Sequence, residues 1–273
     1  MRITILGGGV MGEIITRSIL NKHIVESDQL VIADIDESKR RRLSKNYGVK
    51  TAKSAVRNMD KTDLLIICLK PQGCGNILEN LRGRIKKDAL VISIMAGIGI
   101  KSLQTLLGHK NIVRSMPNIP ARIGEGMTVW YSEKNIPHLQ ILLSKMVFQS
   151  FGKELEVFDE NMIDAATAIS GSGPAYIFYV AEKLISASES LGFGHKESLR
   201  MIRQTFQGAM DLWDETSLSP GHLRQMVTSE KGTTEAAISC FEKLGTGAVF
   251  NEGVNAAYKR AKELGKETGR IKK

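Results

Sequence analysis

The stretch Arg2-Ile3-Thr4-Ile5-Leu6-Gly7-Gly8-Gly9-Val10-Met11-Gly12 decides the reading of the fold. A short apolar strand runs into three glycines and then into an apolar helix. Val10, Ile14, Ile15 and Ile19 share one face of that helix over Val10–Asn21. The glycines follow a G-x-G-x-x-G spacing. Gly7 permits the tight turn, Gly9 admits a pyrophosphate, and Gly12 lets helix and strand pack closely. Strand, loop and helix stand in the order that dinucleotide binding needs. Gly7, Gly9, Val10, Met11 and Gly12 are therefore expected to hold a cofactor.

Outward from this loop, strands and helices alternate. Further strands are expected at Leu30–Ala33, Leu64–Leu69, Ala89–Ile94, Ile112–Ser115 and Met127–Tyr131, and a charged helix at Glu37–Asn46. This alternation implies an α/β fold with a doubly wound parallel sheet. After Phe158 no convincing strand remains. Helical stretches are expected at Asn161–Leu191, bent near Ser170–Pro174, then at His195–Asp214, Gly221–Met226, Thr234–Leu244 and Asn251–Leu264. The expected division is residues 1–158 for nucleotide and 159–273 for an all-helical domain. The segment from Ala165 to Ala181 is apolar around much of its circumference. It suits either a subunit interface or an intrachain core.

The second nucleotide signal is Asp34, at the end of the second strand and 22 residues after Gly12. An acid there accepts hydrogen bonds from ribose hydroxyls and repels a 2′-phosphate, which favours NADH over NADPH. Lys39, Arg40 and Arg41 lie close enough to reach a phosphate, or form a solvated helix face. Leu69-Lys70-Pro71, Ala96-Gly97-Ile98 and Met116-Pro117-Asn118-Ile119-Pro120 each follow a strand and face the crevice in such a sheet. Lys70 is a cofactor contact or an ordinary surface lysine. The proline-rich loop walls a nicotinamide or serves as a structural turn.

Val227-Thr228-Ser229-Glu230-Lys231-Gly232-Thr233-Thr234-Glu235 reads as a loop opening a helix, with Ser229 or Thr233 placed to cap it. Free N–H groups at such an opening suit a carboxylate. A nucleotide site and a carboxylate site on one chain point to a redox enzyme acting on a small acid.

Composition limits the alternatives. In 273 residues, 38 basic and 29 acidic side chains leave a net charge of +9. Much of the excess sits in residues 39–42 and in a tail with Lys266, Arg270, Lys272 and Lys273. Neither cluster carries interleaved aromatics, so nucleic-acid binding is not expected. No apolar run reaches the roughly 18 residues of a membrane helix, and no leader peptide is expected. The three cysteines have no metal spacing, so no metal is expected. Cys68 reads as core and Cys74 as a loop residue open to solvent. The setting expected is a reducing cytoplasm. The five histidines read as surface residues without partners. The chemistry then asks little acid–base help of the protein, as in hydride transfer to a C=N group.

Leu69-Lys70-Pro71, Met116-Pro117-Asn118, Ser170-Gly171-Ser172-Gly173-Pro174-Ala175 and Ser229 to Thr234 together resemble the pyrroline-5-carboxylate reductase family, over nearly the whole chain. The resemblance implies a Rossmann domain followed by a helical dimerisation domain, in a homodimer or a decamer of dimers. It implies hydride transfer from NADH or NADPH to 1-pyrroline-5-carboxylate, giving L-proline. It implies cofactor contacts at Gly7, Gly9, Val10, Met11, Gly12, Asp34, Leu69, Lys70, Pro71, Ala96, Gly97 and Asn118. Ser229, Gly232, Thr233 and Thr234 bind the substrate, with backbone N–H groups near Gly232 and Thr233 on its carboxylate. Thr234 hydrogen-bonds the ring nitrogen and is the catalytic residue of this scheme.

This chain departs from the family pattern at Glu230-Lys231, where Pro-Gly is usual, at Ile119, where Thr is common, and at Asp34-Ile35-Asp36, in place of a polar run. Two rival readings remain. One is a β-hydroxyacid dehydrogenase-like enzyme, which needs a catalytic lysine that Ser170–Ala175 lacks. The other is a non-catalytic nucleotide-binding relative.

Overall fold

The computed structural model describes residues 1–269, with side chains described through 265. The basic tail residues Arg270, Lys272 and Lys273 lie outside the described residues, and so does the side chain of Lys266. The elements run β1 (Ile3–Leu6), α1 (Val10–Asn21), β2 (Leu30–Ala33), α2 (Glu37–Tyr47), β3 (Lys50–Ala52), β4 (Leu64–Ile67), α3 (Gly75–Glu79), β5 (Leu90–Ser93), α4 (Ile100–Leu107) and β6 (Ile112–Met116). They continue with β7 (Gly126–Ser132), α5 (His138–Gln149), β8 (Gly152–Glu156), α6 (Asn161–Ala166), α7 (Gly173–Ser190), α8 (His195–Glu215), α9 (Pro220–Met226), α10 (Thr233–Lys243) and α11 (Thr246–Gly269).

All eight strands form one sheet in the order β3-β2-β1-β4-β5-β6-β7-β8. β1 registers Ile3 opposite Leu30 on one side and opposite Leu64 on the other, both parallel. The central strands are buried on both faces, which is why Leu64-Leu65-Ile66-Ile67 is an unbroken apolar run. Alternate residues serve opposite layers. Ile3, Ile5, Leu64, Ile66, Leu90 and Ile92 join the layer with Ile14, Ile15, Ile19 and Phe148 of α1 and α5. Leu65, Ile67 and Val91 join Leu78 and Leu103 of α3 and α4. Burying one such side chain contributes about 1.5–3 kcal/mol.

The expected all-parallel sheet needs one correction. β7 pairs antiparallel with β6, and β8 follows β7 in parallel. Only residues 117–125 join β6 to β7, and a parallel return needs a crossover of a dozen or more residues. The short edge strands β3 and β8 and the helix α5 add to the expected elements.

The expected bend near Ser170 is a π-helical turn over Thr167–Gly171, closed by Ser172 N–H donating to the Thr167 carbonyl at 2.9 Å. Pro174 then sits in the first turn of α7, where its missing N–H costs nothing.

The chain forms two compact units. One is Met1–Ser172 together with the described residues from Ala256 onward; the other is Gly173–Asn255. The expected join at 158/159 falls inside the first unit. Gly97, at φ +75°, shows why residues beyond Ala256 belong there. A Cβ on it would lie 2.6 Å from the Gly265 nitrogen and 2.9 Å from the Ala261 carbonyl oxygen. The second unit exposes Ile177, Phe178, Tyr179, Met210, Trp213 and Phe250 along its helices. Among the described residues no helix is long and apolar enough to cross a membrane.

Candidate active site

The glycine loop has the geometry that a diphosphate needs. Gly7 takes φ +108°, and a Cβ there would sit 2.6 Å from the Cys68 carbonyl oxygen. A Cβ on Gly12 would overlap the Gly7 carbonyl oxygen, so only glycine brings α1 this near β1. A Cβ on Gly9 would meet nothing within 4 Å, so its open side faces free space. Gly9 is also the N-cap of α1 and supplies no side-chain cap. The first-turn N–H groups at Val10, Met11 and Gly12 therefore remain for an anion.

Asp34 is fixed at the end of β2. One carboxylate oxygen accepts from Gly8 N–H at 2.7 Å, and the other accepts from Asp36 N–H at 2.9 Å. The acid thus joins β2 to the glycine loop. The neighbouring cations are engaged. Arg40 Nη1 donates to the carbonyls of Asp34 and Ile35 at 2.8 and 2.9 Å. Lys39 pairs with Asp36, Arg41 with Glu37 and Arg42 with Glu13.

Lys70 is exposed in the turn after β4, and Leu69 and Pro71 are half-buried beside it. Cys74 is buried rather than open to solvent, and its thiol donates to the Pro71 carbonyl at 3.1 Å. Burial also raises the thiol pKa of Cys68 and of Cys74, which keeps both unreactive. His109 is likewise buried, with Nε2 at 2.8 Å from the Ala89 carbonyl oxygen, and desolvation holds its pKa below the usual value. The other four histidines are exposed.

Asn118 fastens the proline-rich loop. Its Nδ2 donates to the Ser170 carbonyl at 3.0 Å, and its Oδ1 accepts from Met127 N–H at 2.9 Å. The side chain therefore holds β6, β7 and the π turn together.

A second fastening lies outside the sequence expectations. Arg114 of β6 is 3% exposed. Its guanidinium pairs with Asp164 and, at 3.3 Å, with Glu160. Glu160 Oε1 also accepts from Ile100 N–H at 2.7 Å, and so caps α4 just beyond Gly97. An arginine inside Ile112-Val113-Arg114-Ser115-Met116 was the available signal, because a buried cation needs acidic partners.

In the second unit, α10 opens at Thr233 with Gly232 as its N-cap, and no side chain caps it. Neither Ser229 nor Thr233 takes the expected capping role. Gly232 N–H donates to the Ser229 carbonyl at 3.0 Å, so this amide is already engaged. The amides of Thr233, Thr234 and Glu235 begin the helix without intrahelical acceptors. Glu235 Oε2 accepts from Lys231 N–H at 2.6 Å. Lys231 stands at φ +56°, a left-handed conformation that favours glycine. Among the described residues, the Thr234 hydroxyl has no protein partner, whereas Thr228 donates back to the Arg224 carbonyl.

Both parts of the chain match known proteins. Residues 160–264 match the model of pyrroline-5-carboxylate reductase dimerisation, and residues 2–97 that of NADP oxidoreductase, coenzyme F420-dependent. The chain is 33% identical over 267 residues to the pyrroline-5-carboxylate reductase of Synechocystis, covering 98% of this chain and 99% of that protein. The Plasmodium falciparum pyrroline carboxylate reductase, solved with NADP bound, superposes with a TM-score of 0.87 at 28% identity, covering 97% of this chain and 98% of that one. The Coxiella burnetii pyrroline-5-carboxylate reductase superposes at 0.86 with 31% identity, covering 96% and 98%.

Proposed function

The chain belongs to the pyrroline-5-carboxylate reductase family, and from that premise we propose how its own residues divide the reaction. It is an NAD(P)H-dependent reductase that converts 1-pyrroline-5-carboxylate to L-proline. The reduced nicotinamide supplies the hydride, which adds to the imine carbon while a proton ends on the ring nitrogen.

The glycine loop fits the dinucleotide: Gly9 has open space before it, and the uncapped amides of α1 suit the diphosphate. Gly7, Gly9, Val10, Met11 and Gly12 hold that part in our reading. Leu69, Lys70, Pro71, Ala96, Gly97 and Asn118 shape the nicotinamide end, Asn118 by fixing its loop. The opening of α10 receives the substrate carboxylate. Ser229 and Gly232 form the turn, and the Thr233 and Thr234 amides donate. The single observation carrying this assignment is the uncapped α10 N-terminus beside a Thr234 hydroxyl with no protein partner. Thr234 then hydrogen-bonds the ring nitrogen, and catalysis is chiefly positioning.

Initial rates of NADH and NADPH oxidation with 1-pyrroline-5-carboxylate test the assignment. Thr234→Ala is expected to lower kcat/KM by about 10–100-fold, the worth of one lost hydrogen bond to a reacting group, with nucleotide affinity unchanged. An unchanged kcat/KM removes Thr234 from the mechanism.

NADH is the preferred donor in this reading. An acid at the end of β2, as at Asp34, favours ribose hydroxyls over a 2′-phosphate, and Lys39, Arg41 and Arg42 are each paired with a carboxylate. Asp34→Ser is expected to raise the NADPH-to-NADH ratio of kcat/KM by roughly tenfold or more. A constant ratio would move cofactor recognition to Lys39, Arg40 or Arg41.

The family's dimerisation region makes the chain a homo-oligomer. The exposed Ile177, Phe178 and Phe250 support a homodimer as the basic unit, and five such dimers forming a decamer is the larger assembly of this reading. We place the enzyme in the cytoplasm.

A further inference from the structure

On the outer side of α1, Glu13 and Arg17 are one turn apart and share a face. Arg42 and Tyr47 of α2 approach from one flank, and Arg122, in the turn at 119–123, from the other. With Ile14, and with Val10 at the end of the glycine loop, they line a cavity of about 280 Å³.

The charges here do not balance. Glu13 is the acid of the group, and it already binds two partners. Arg42 pairs with it, and Tyr47 Oη donates to it at 3.3 Å. Arg17 is half-buried, and its guanidinium donates to the backbone carbonyl of Arg122. Neither Arg17 nor Arg122 has a carboxylate partner among the described residues. Three arginines and one carboxylate thus line the space, an excess of two positive charges. A partly desolvated guanidinium without a counter-ion is costly, and its planar fork matches the oxygens of a phosphoryl group.

The geometry points to a second anion site here, on the flank of α1 beyond Val10, for a phosphoryl dianion. The dianion matches the excess charge, and the volume suits one or two phosphoryl groups rather than a whole nucleotide. Bound there, it links α1 and α2 to the turn that follows Asn118.

The test is the melting temperature of the full chain, saturated with NADH so that the glycine loop is filled. Inorganic phosphate is titrated at fixed pH, with sodium chloride holding the ionic strength constant. A saturable rise is expected for the wild type and for Lys134→Gln, an exposed control. In Arg17→Gln/Arg122→Gln the half-saturating phosphate concentration is expected to rise at least about tenfold. Where the double variant is unfolded, Arg122→Gln alone carries the test, because Arg122 is an exposed turn residue. Adenosine diphosphate saturating below inorganic phosphate, with the same loss in the variants, assigns a nucleotide-borne group; the reverse order assigns free phosphate. A rise matched by chloride alone, or retained in full by the variants, overturns the site.

Discussion

Gly12→Ala is expected to weaken NADH binding by about a hundredfold, the scale of an ångström-sized misplacement in a binding site. The added methyl overlaps the Gly7 carbonyl oxygen, which belongs to the turn that receives the diphosphate. Alanine is a better helix former than glycine, but that gain is about 1 kcal/mol. Overpacking at such a contact costs about 1–3 kcal/mol, so α1 moves away from β1 or the loop reshapes. Calorimetric titration with NADH measures the first effect and a thermal melt the second. A dissociation constant within threefold of the wild type would show that the Gly7–Gly12 contact does not set the loop.

Arg114→Met is expected to destabilise the first unit by about 3 kcal/mol, the low end for a broken buried ion pair. The low end applies because Glu160 is partly open to solvent, at 29% side-chain exposure, while Asp164 is at 14%. The melting temperature should fall by roughly 6–12 °C if the chain unfolds cooperatively. The loss arises from carboxylates left unpaired, so neutralising them too should recover much of it. Arg114→Met with Glu160→Gln and Asp164→Asn is the check. A triple variant no more stable than the single one would mean that arginine packing, not charge pairing, matters at this position.

These two positions differ in how plainly the chain announces them. Gly12 is legible because strand, glycines and helix are contiguous and each constrains the next. The apolar runs of β1, β4 and β5 are legible for a similar reason, since strands covered on both faces admit few polar residues. Arg114 is hard to read from sequence because its partners lie 46 and 50 residues along the chain. β3 and β8 leave little signal because edge strands are short and half-polar, as in Lys50-Thr51-Ala52. The reversed direction of β7 follows from connection length, not from its own residues. At the α10 opening the loop-to-helix transition is legible, but not which residue caps it. Ser229, Thr233 and Gly232 all suit an N-cap, and backbone conformation decided for Gly232.

The return of the chain to its first unit bears on how the protein is made. Ribosomal synthesis delivers Met1–Ser172 first, yet Ala261 and Gly265, which pack on the Gly97 turn, follow only after the 83 residues of Gly173–Asn255. The nascent nucleotide unit therefore waits with the underside of that turn uncovered. Its final closure comes late in translation, after the intervening helices have left the exit tunnel.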